Sequence, residues 1–230
     1  MPVSDFLMAG GIAVLAGLDR TAAFQFMISR PIVAAPLTGW LLGAPLVGLQ
    51  VGILVELLWL GRLPVGAAIP PDDTQVAVGS TFLAITLGPL LGMPGPSLTV
   101  LCTLVAMPLG MIGQLFDRLA RHWNGKLLTR AADLLAQGTR EKVERKHLWG
   151  LMHFAIASLA TFVVIAGAGS LLLHFLAPWV VAPVAESAGR LRLLFPLVGA
   201  AVLLGTMNVR RVVPLFGISF TAALLLFWVF

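Results

Sequence analysis

The run from Val76 to Phe116 contains no Asp, Glu, Lys or Arg, and neither does the run from Leu148 to Ala185. A helix needs about 20 mostly apolar residues to cross a bilayer, so each run is longer than one span. Pro31 to Leu60 is a third such run, with Glu56 as its one charge. Phe195 to Val209 and Val212 to Phe230 are shorter ones. Charged residues make up 11% of the chain and apolar residues 59%. A soluble domain carries about 25% charged residues, enough to coat its surface with charge. This chain cannot do that. A membrane barrel shows short segments of alternating polarity, whereas here the polar residues are grouped between long apolar stretches. The expected fold is an all-α integral membrane protein with several transmembrane helices.

Prolines and glycines interrupt the first half of the pattern. Pro36, Pro45, Pro64, Pro70 and Pro71 break or kink helices, and Gly39, Gly43, Gly48 and Gly52 fall at spacings that let helices approach closely. Broken backbone at membrane depth is tolerated only where it faces protein or a watery cavity. The region from Asp19 to Ser80 is therefore expected to hold broken helices or a re-entrant hairpin around something polar. Met1 to Gly17 lacks a basic opening and carries Asp5, so it reads as part of the mature fold rather than a signal peptide. Cys102 is the one cysteine, which excludes a disulfide and a thiolate metal site within the chain.

Phe116 to Gly150 differs from everything around it. Arg118, Arg121, Lys126, Arg130, Arg140, Lys142, Arg145 and Lys146 lie here, over half of the chain's 15 Lys and Arg. Positive loops stay on the cytoplasmic side. Leu115, Leu119, Trp123, Leu127, Leu128, Ala131, Leu134 and Leu135 recur at three- and four-residue steps, the pattern of one amphipathic interfacial helix. It is either a solvated charged face or a dock for a soluble cytoplasmic protein. The sequence pI near 10.7 comes from these loops, so nucleic acid is not an expected partner. The reading is a single membrane domain, 1–230. Its N-terminal region, 1–113, holds the site; 116–149 is the basic cytoplasmic segment; 150–230 holds the C-terminal transmembrane helices.

No catalytic signature appears: there is no GxGxxG, P-loop, HExxH or GxSxG. No metal or other cofactor is expected. The informative residues are the ionisable ones inside apolar runs, where a charge costs on the order of 3 kcal/mol at the bilayer centre. Glu56 is one. It reads as a ligand-binding or proton-relay carboxylate, or else as a structural partner of Arg30 or Arg62. Asp72 and Asp73 follow two prolines and open "DDTQ", a helix start signal. One of them is expected to cap the helix and the other to project into a cavity. Gln25 is a neutral donor and acceptor near the Arg30-Pro31 turn. Carboxylates and amides answer sugar hydroxyls, which both donate and accept. Trp40 and Trp59 are candidates to cover the C–H face of a sugar ring. Gln25, Glu56, Asp72 and Asp73 are the expected substrate-binding residues.

The order of these residues resembles a known family. "LDRTAAFQFMISRPIVAAPLTGWLLG" followed by "GLQVGILVELLWLGRLPVGAAIPPDD" is similar to the IIC membrane component of the mannose/fructose/sorbose branch of the bacterial phosphotransferase system. The match rests on Phe24-Gln25, Arg30-Pro31, Gly52, Glu56, Leu60-Gly61, Gly66-Ala67-Ala68 and Pro71-Asp72. The later "RAADLLAQG" and "VVPLFGISFTAALL" are weaker matches. The resemblance implies a sugar permease in the inner membrane of a bacterium. It implies a IID membrane partner, a trimer of IIC–IID heterodimers, and a soluble IIAB protein, or separate IIA and IIB proteins, that phosphorylates the sugar at the cytoplasmic face. Other readings of the residues are an ion-coupled secondary transporter, in which Glu56 or Asp72 titrates, and a membrane scaffold or sensor that transports nothing.

Overall fold

The computed structural model describes residues 2–60, 69–92, 95–138, 140–206 and 212–229. Arg62, Pro64 and the Gly66-Ala67-Ala68 element of the resemblance lie outside them. Among the described residues the secondary structure is helical: α1 (Val3–Thr21), α2 (Pro31–Leu41), α3 (Pro45–Trp59), α4 (Asp73–Leu91), α5 (Gly95–Gly110), α6 (Gly113–Ala136), α7 (Arg140–Thr206) and α8 (Val212–Val229). Three helical stretches there are long and apolar enough to cross a membrane: Asp73–Leu91, Gly95–Ala136 and Val143–Ser187.

The proline-glycine pattern of the first half produces a short hairpin. Pro31 and Pro45 open α2 and α3, positions where a missing N–H costs nothing and the fixed φ suits a helix start. The turn between them passes through Gly43 at φ +78°, which glycine tolerates without a steric penalty. The two helices have 11 and 15 residues. At 1.5 Å per residue neither reaches across a hydrocarbon core about 30 Å thick. They run antiparallel at backbone contact. A Cβ on Gly48 would lie 2.9 Å from Pro36 Cα, and one on Gly52 2.8 Å from the Pro31 carbonyl oxygen. The broken helices expected from the sequence are this hairpin.

α4 is the hub. Every residue from Thr74 to Ala84 is buried, between α1, α2, α3, α5 and α7. On one side Phe82 forms an aromatic cluster with Phe6 of α1 and Phe162 of α7, with ring centroids 5.3–5.9 Å apart. On the other, Val76, Ala77 and Leu83 join Val51 and Val55 of α3, Leu98 and Cys102 of α5 and Ile165 of α7. Two threonine hydroxyls in these helices turn back onto their own backbones: Thr81 Oγ1 donates to the Ala77 carbonyl (2.9 Å) and Thr103 Oγ1 to the Thr99 carbonyl (2.7 Å). That satisfies them without water.

The basic segment becomes α6 and the first turns of α7, which pack together as an antiparallel pair. Asn124 ties them. Its Nδ2 donates to the Gly150 carbonyl (3.2 Å), and its Oδ1 lies 2.6 Å from His153 Nδ1. The apolar stripe read from the sequence divides between two environments. Leu127, Ala131 and Leu134 are partly covered, while Leu115, Leu119, Trp123, Leu128 and Leu135 are exposed.

Candidate functional site

The hairpin, the end of α1 and the start of α4 meet at one polar junction. The last turn of α1 carries Asp19 and Arg20, and a loop of residues 22–30 leads to α2. Asp72 is the N-cap of α4: its Oδ1 accepts from the Gln75 amide at 3.1 Å. The same oxygen lies 2.5 Å from Arg20 Nη1, which is also 2.8 Å from Asp73 Oδ1. The other Arg20 terminal nitrogen donates to the Pro71 carbonyl at 3.2 Å. One guanidinium therefore holds both acids and the proline turn before them. This geometry follows from "PPDD": two prolines forbid a helix through the turn and α4 starts just past them, leaving two acids at a helix N-terminus, where negative charge is favoured.

Glu56 stands on α3 and faces the start of α2. Its carboxylate accepts a hydrogen bond from Arg30 and pairs with that residue, and its other oxygen accepts from the Ile32 amide at 3.3 Å. Of the two partners the sequence left open for Glu56, Arg30 pairs with it, and Arg62 lies outside the described residues. The ion pair does not seal Glu56 into the core. It lines a cavity of about 280 Å³ together with Asp19, Arg20, Gln25, Ser29, Trp59 and Asp73. A second cavity, about 500 Å³, is lined by Gln25, Arg20, Asp72, Asp117, Arg121 and Ser158. Arg20 and Gln25 belong to both walls.

The structure thus brings Gln25, Glu56 and Asp73 to one cavity and places Asp72 on the adjoining one. Asp72 both caps the helix and lines the larger cavity, while Asp73 faces the smaller one. Trp59 lines the cavity, whereas Trp40 is 66% exposed and lies outside both linings. Sequence reasoning assigns no role to Asp19 and Arg20. An acid and a base side by side where an apolar helix ends were the available signal, and they read equally well as an ordinary helix terminus.

Chemically, the smaller cavity offers two guanidinium groups, three carboxylates and an amide, most of them paired with each other. Such a lining suits a neutral ligand dense in hydroxyls, because these groups can give and take hydrogen bonds. Its volume, about 280 Å³, lies just below the roughly 300–1,000 Å³ of ligand pockets. Among the described residues no group of His, Cys, Asp or Glu is arranged to hold a metal ion.

The described residues form a helical membrane fold with a half-length hairpin and polar cavities beside it. The chain belongs to the family described as the PTS system sorbose-specific IIC component, whose pattern matches residues 3–228. It is 28% identical over 197 residues to the fructose permease IIC component of Bacillus subtilis, covering 84% of this chain and 69% of that protein. It is 27% identical over 204 residues to the sorbose-specific EIIC component of Klebsiella pneumoniae, covering 86% and 72%. A shorter match, 39% identical over 79 residues, is to a putative N-acetylgalactosamine permease IIC component of Escherichia coli, covering 34% of this chain and 59% of that protein. The fold is like that of the mannose transporter ManYZ in its complex with microcin E492, with a TM-score of 0.58 at 21% identity over 97% of this chain and 87% of that one. Another solved membrane protein gives a TM-score of 0.65 at 22% identity, with the same coverage.

Proposed function

We propose that this chain is the sugar-translocating IIC subunit of a mannose-family phosphotransferase system. In this reading it holds a hexose or related sugar in the cavity between α1, the α2–α3 hairpin and the start of α4. Gln25, Glu56 and Asp73 bind hydroxyls there, Asp72 faces the adjoining cavity through which the sugar passes, and Trp59 covers the ring. The observation that carries the reading is the convergence of Gln25, Glu56, Asp73, Arg20 and Arg30 on one cavity of sugar size. Arg20 pairs with Asp73 and Arg30 with Glu56 before a ligand arrives, and backbone amides hold Asp19, so a neutral sugar exchanges hydrogen bonds with these groups instead of having to neutralise a bare carboxylate.

The chain offers no phosphoryl carrier in this scheme. A soluble IIAB protein, or separate IIA and IIB proteins, phosphorylates the sugar at the cytoplasmic face of a bacterial inner membrane. A IID subunit completes the membrane complex, as a trimer of IIC–IID heterodimers. The basic face of α6, on the side that positive charge marks as cytoplasmic, is the dock for the soluble protein.

Glu56→Gln tests the site. It keeps shape and removes charge. A hydrogen bond to a charged group contributes about 1.5–3 kcal/mol, so sugar binding weakens roughly 10- to 100-fold while the membrane complex still assembles. Binding is read by calorimetry on purified complex and assembly by size-exclusion chromatography. Loss of assembly, or unchanged affinity, would show that the Arg30–Glu56 pair is scaffolding alone.

A further inference from the structure

We infer that Asp19 is a positioning residue for the sugar cavity: it holds the 22–30 loop in the left-handed shape that brings Gln25 to the cavity wall. The inference rests on the sugar-site reading of that cavity. Asp19 is 2% exposed. Its Oδ1 accepts from the Phe26 amide at 2.6 Å and its Oδ2 from the Ser29 amide at 2.9 Å. Both carboxylate oxygens are thus committed to backbone of the loop.

That loop is strained. Phe24, Gln25 and Met27 have φ of 68°, 54° and 63°, a region that side chains other than glycine's enter at a steric cost. Three such residues within four positions persist only when the surroundings over-determine them. Packing of their side chains is not what does so: Phe24 is 63% exposed, Phe26 73% and Met27 71%. The holding force is polar. Two charge-assisted hydrogen bonds from Asp19 are joined by one from Thr74 Oγ1 to the Ser29 carbonyl, at 2.8 Å, which ties the loop to α4. Gln25 sits at the middle of the strained stretch and lines both cavities. If Asp19 releases the loop, residues 24–27 relax toward right-handed backbone and the Gln25 amide leaves the wall. Asp19 acts on the ligand through Gln25, and its sequence neighbour Arg20 acts through Asp72 and Asp73.

The test uses the full chain purified from membranes, with mannose, fructose, sorbose and N-acetylgalactosamine titrated in turn, and hydrogen exchange followed over residues 22–30. Asp19→Asn sets an amide NH2 against a backbone donor. It is expected to speed exchange of the loop amides and to weaken binding of the accepted sugar about tenfold, the effect of losing a hydrogen bond to a charged group. Adding Phe24→Gly and Met27→Gly to Asp19→Asn supplies residues that take positive φ freely. It restores most of the binding without restoring the carboxylate, a rescue that a general role of Asp19 in folding α1 would not give. Should Asp19→Asn alone fail to assemble, the triple variant carries the test: assembly with near-parental binding supports the inference, and failure overturns it. Gln25→Ala and Glu56→Gln run alongside. If both bind as the parent does, the site reading falls. If both lose binding while Asp19→Asn binds normally, or if the glycine pair rescues nothing, the positioning role of Asp19 falls and the site stands.

Discussion

α4 and α8 are both apolar helices of similar length, with 19 and 18 residues, yet they occupy opposite environments. Eleven consecutive residues of α4 are buried, while the described side chains of α8 are exposed, Val213 at 80% and Ile218 at 68% among them, apart from half-buried Phe216. The helix that contributes more large side chains is the one left outside. In lipid, apolarity alone gives no reason to pack, because hydrocarbon solvates Leu and Phe as well as a protein core does. What pulls α4 inside is its small and polar content: Gly79, Ser80, Thr81 and Gln75. Glycine lets a neighbour close in, and groups such as Gln75, whose Nε2 donates to the Ala13 carbonyl at 2.8 Å, need partners that lipid cannot offer. α8 carries only two polar side chains, Ser219 and Thr221, and the Thr221 hydroxyl turns back onto the Gly217 carbonyl.

Matched substitutions in the two helices put this to the test. The largest contrast is expected from leucine at glycine. A Cβ on Gly79 would lie 3.1 Å from the Cβ of fully buried Ile165, whereas Gly217 has nothing within 4 Å. Gly79→Leu therefore overpacks the hub, at a cost on the order of 3 kcal/mol, and the thermal midpoint of the purified complex falls sharply or assembly fails. Gly217→Leu stays within about 0.5 kcal/mol. Equal effects at both sites would sink the distinction. A smaller contrast is expected from truncation. Phe82 is fully buried in its aromatic cluster and Leu224 is 55% exposed. Phe82→Ala destabilises toward the low end of the roughly 3–5 kcal/mol seen for Phe→Ala, because membrane burial lacks most of the transfer part. Leu224→Ala stays within about 0.5 kcal/mol. Thermal unfolding monitored by tryptophan fluorescence reads both.

The same distinction explains what could be read from the sequence. Long charge-free runs have one physical outcome, so the helical membrane fold was legible. So was the α2–α3 hairpin, because Pro31, Pro45 and Gly43 each act locally on their own backbone. A helix cap at one of Asp72 and Asp73 was legible for the same reason, though not which of the two supplies it. Depth of burial was not: hydropathy reads α4 and α8 alike, and the contacts that separate them come from residues distant in sequence, such as Ile165 against Gly79. The site was half legible. Glu56, Asp73 and Gln25 stand out by charge or polarity within apolar surroundings. The division of the acids between two cavities did not, since it depends on Arg20 reaching across to Asp72 and Asp73 from α1. Nor did the loop strain at Phe24 and Met27, because neither residue type announces a positive φ.

α6 supplies the third term of the comparison, a helix that is neither buried nor apolar, and here the smallest structural effect is expected. Arg118 and Arg130 are exposed on it. The Arg121–Asp117 pair on the same helix, 2.7 Å apart, is of the exposed kind whose contribution is about 0.3–0.5 kcal/mol. Reversing the charge with Arg118→Glu and Arg130→Glu together is expected to leave the thermal midpoint and sugar affinity near parental, since neither residue lines the site. What changes is the encounter with a soluble protein. Charge at a rim acts mainly on association rate and its salt dependence. Phosphorylation of sugar by the proposed soluble IIAB partner should therefore slow by about tenfold or more at low salt, and the deficit should shrink as salt rises to screen the field. A salt-independent loss would place the defect in the helix pair itself. Undiminished phosphorylation would make the basic face of α6 a solvated surface that follows the positive-inside rule and docks nothing.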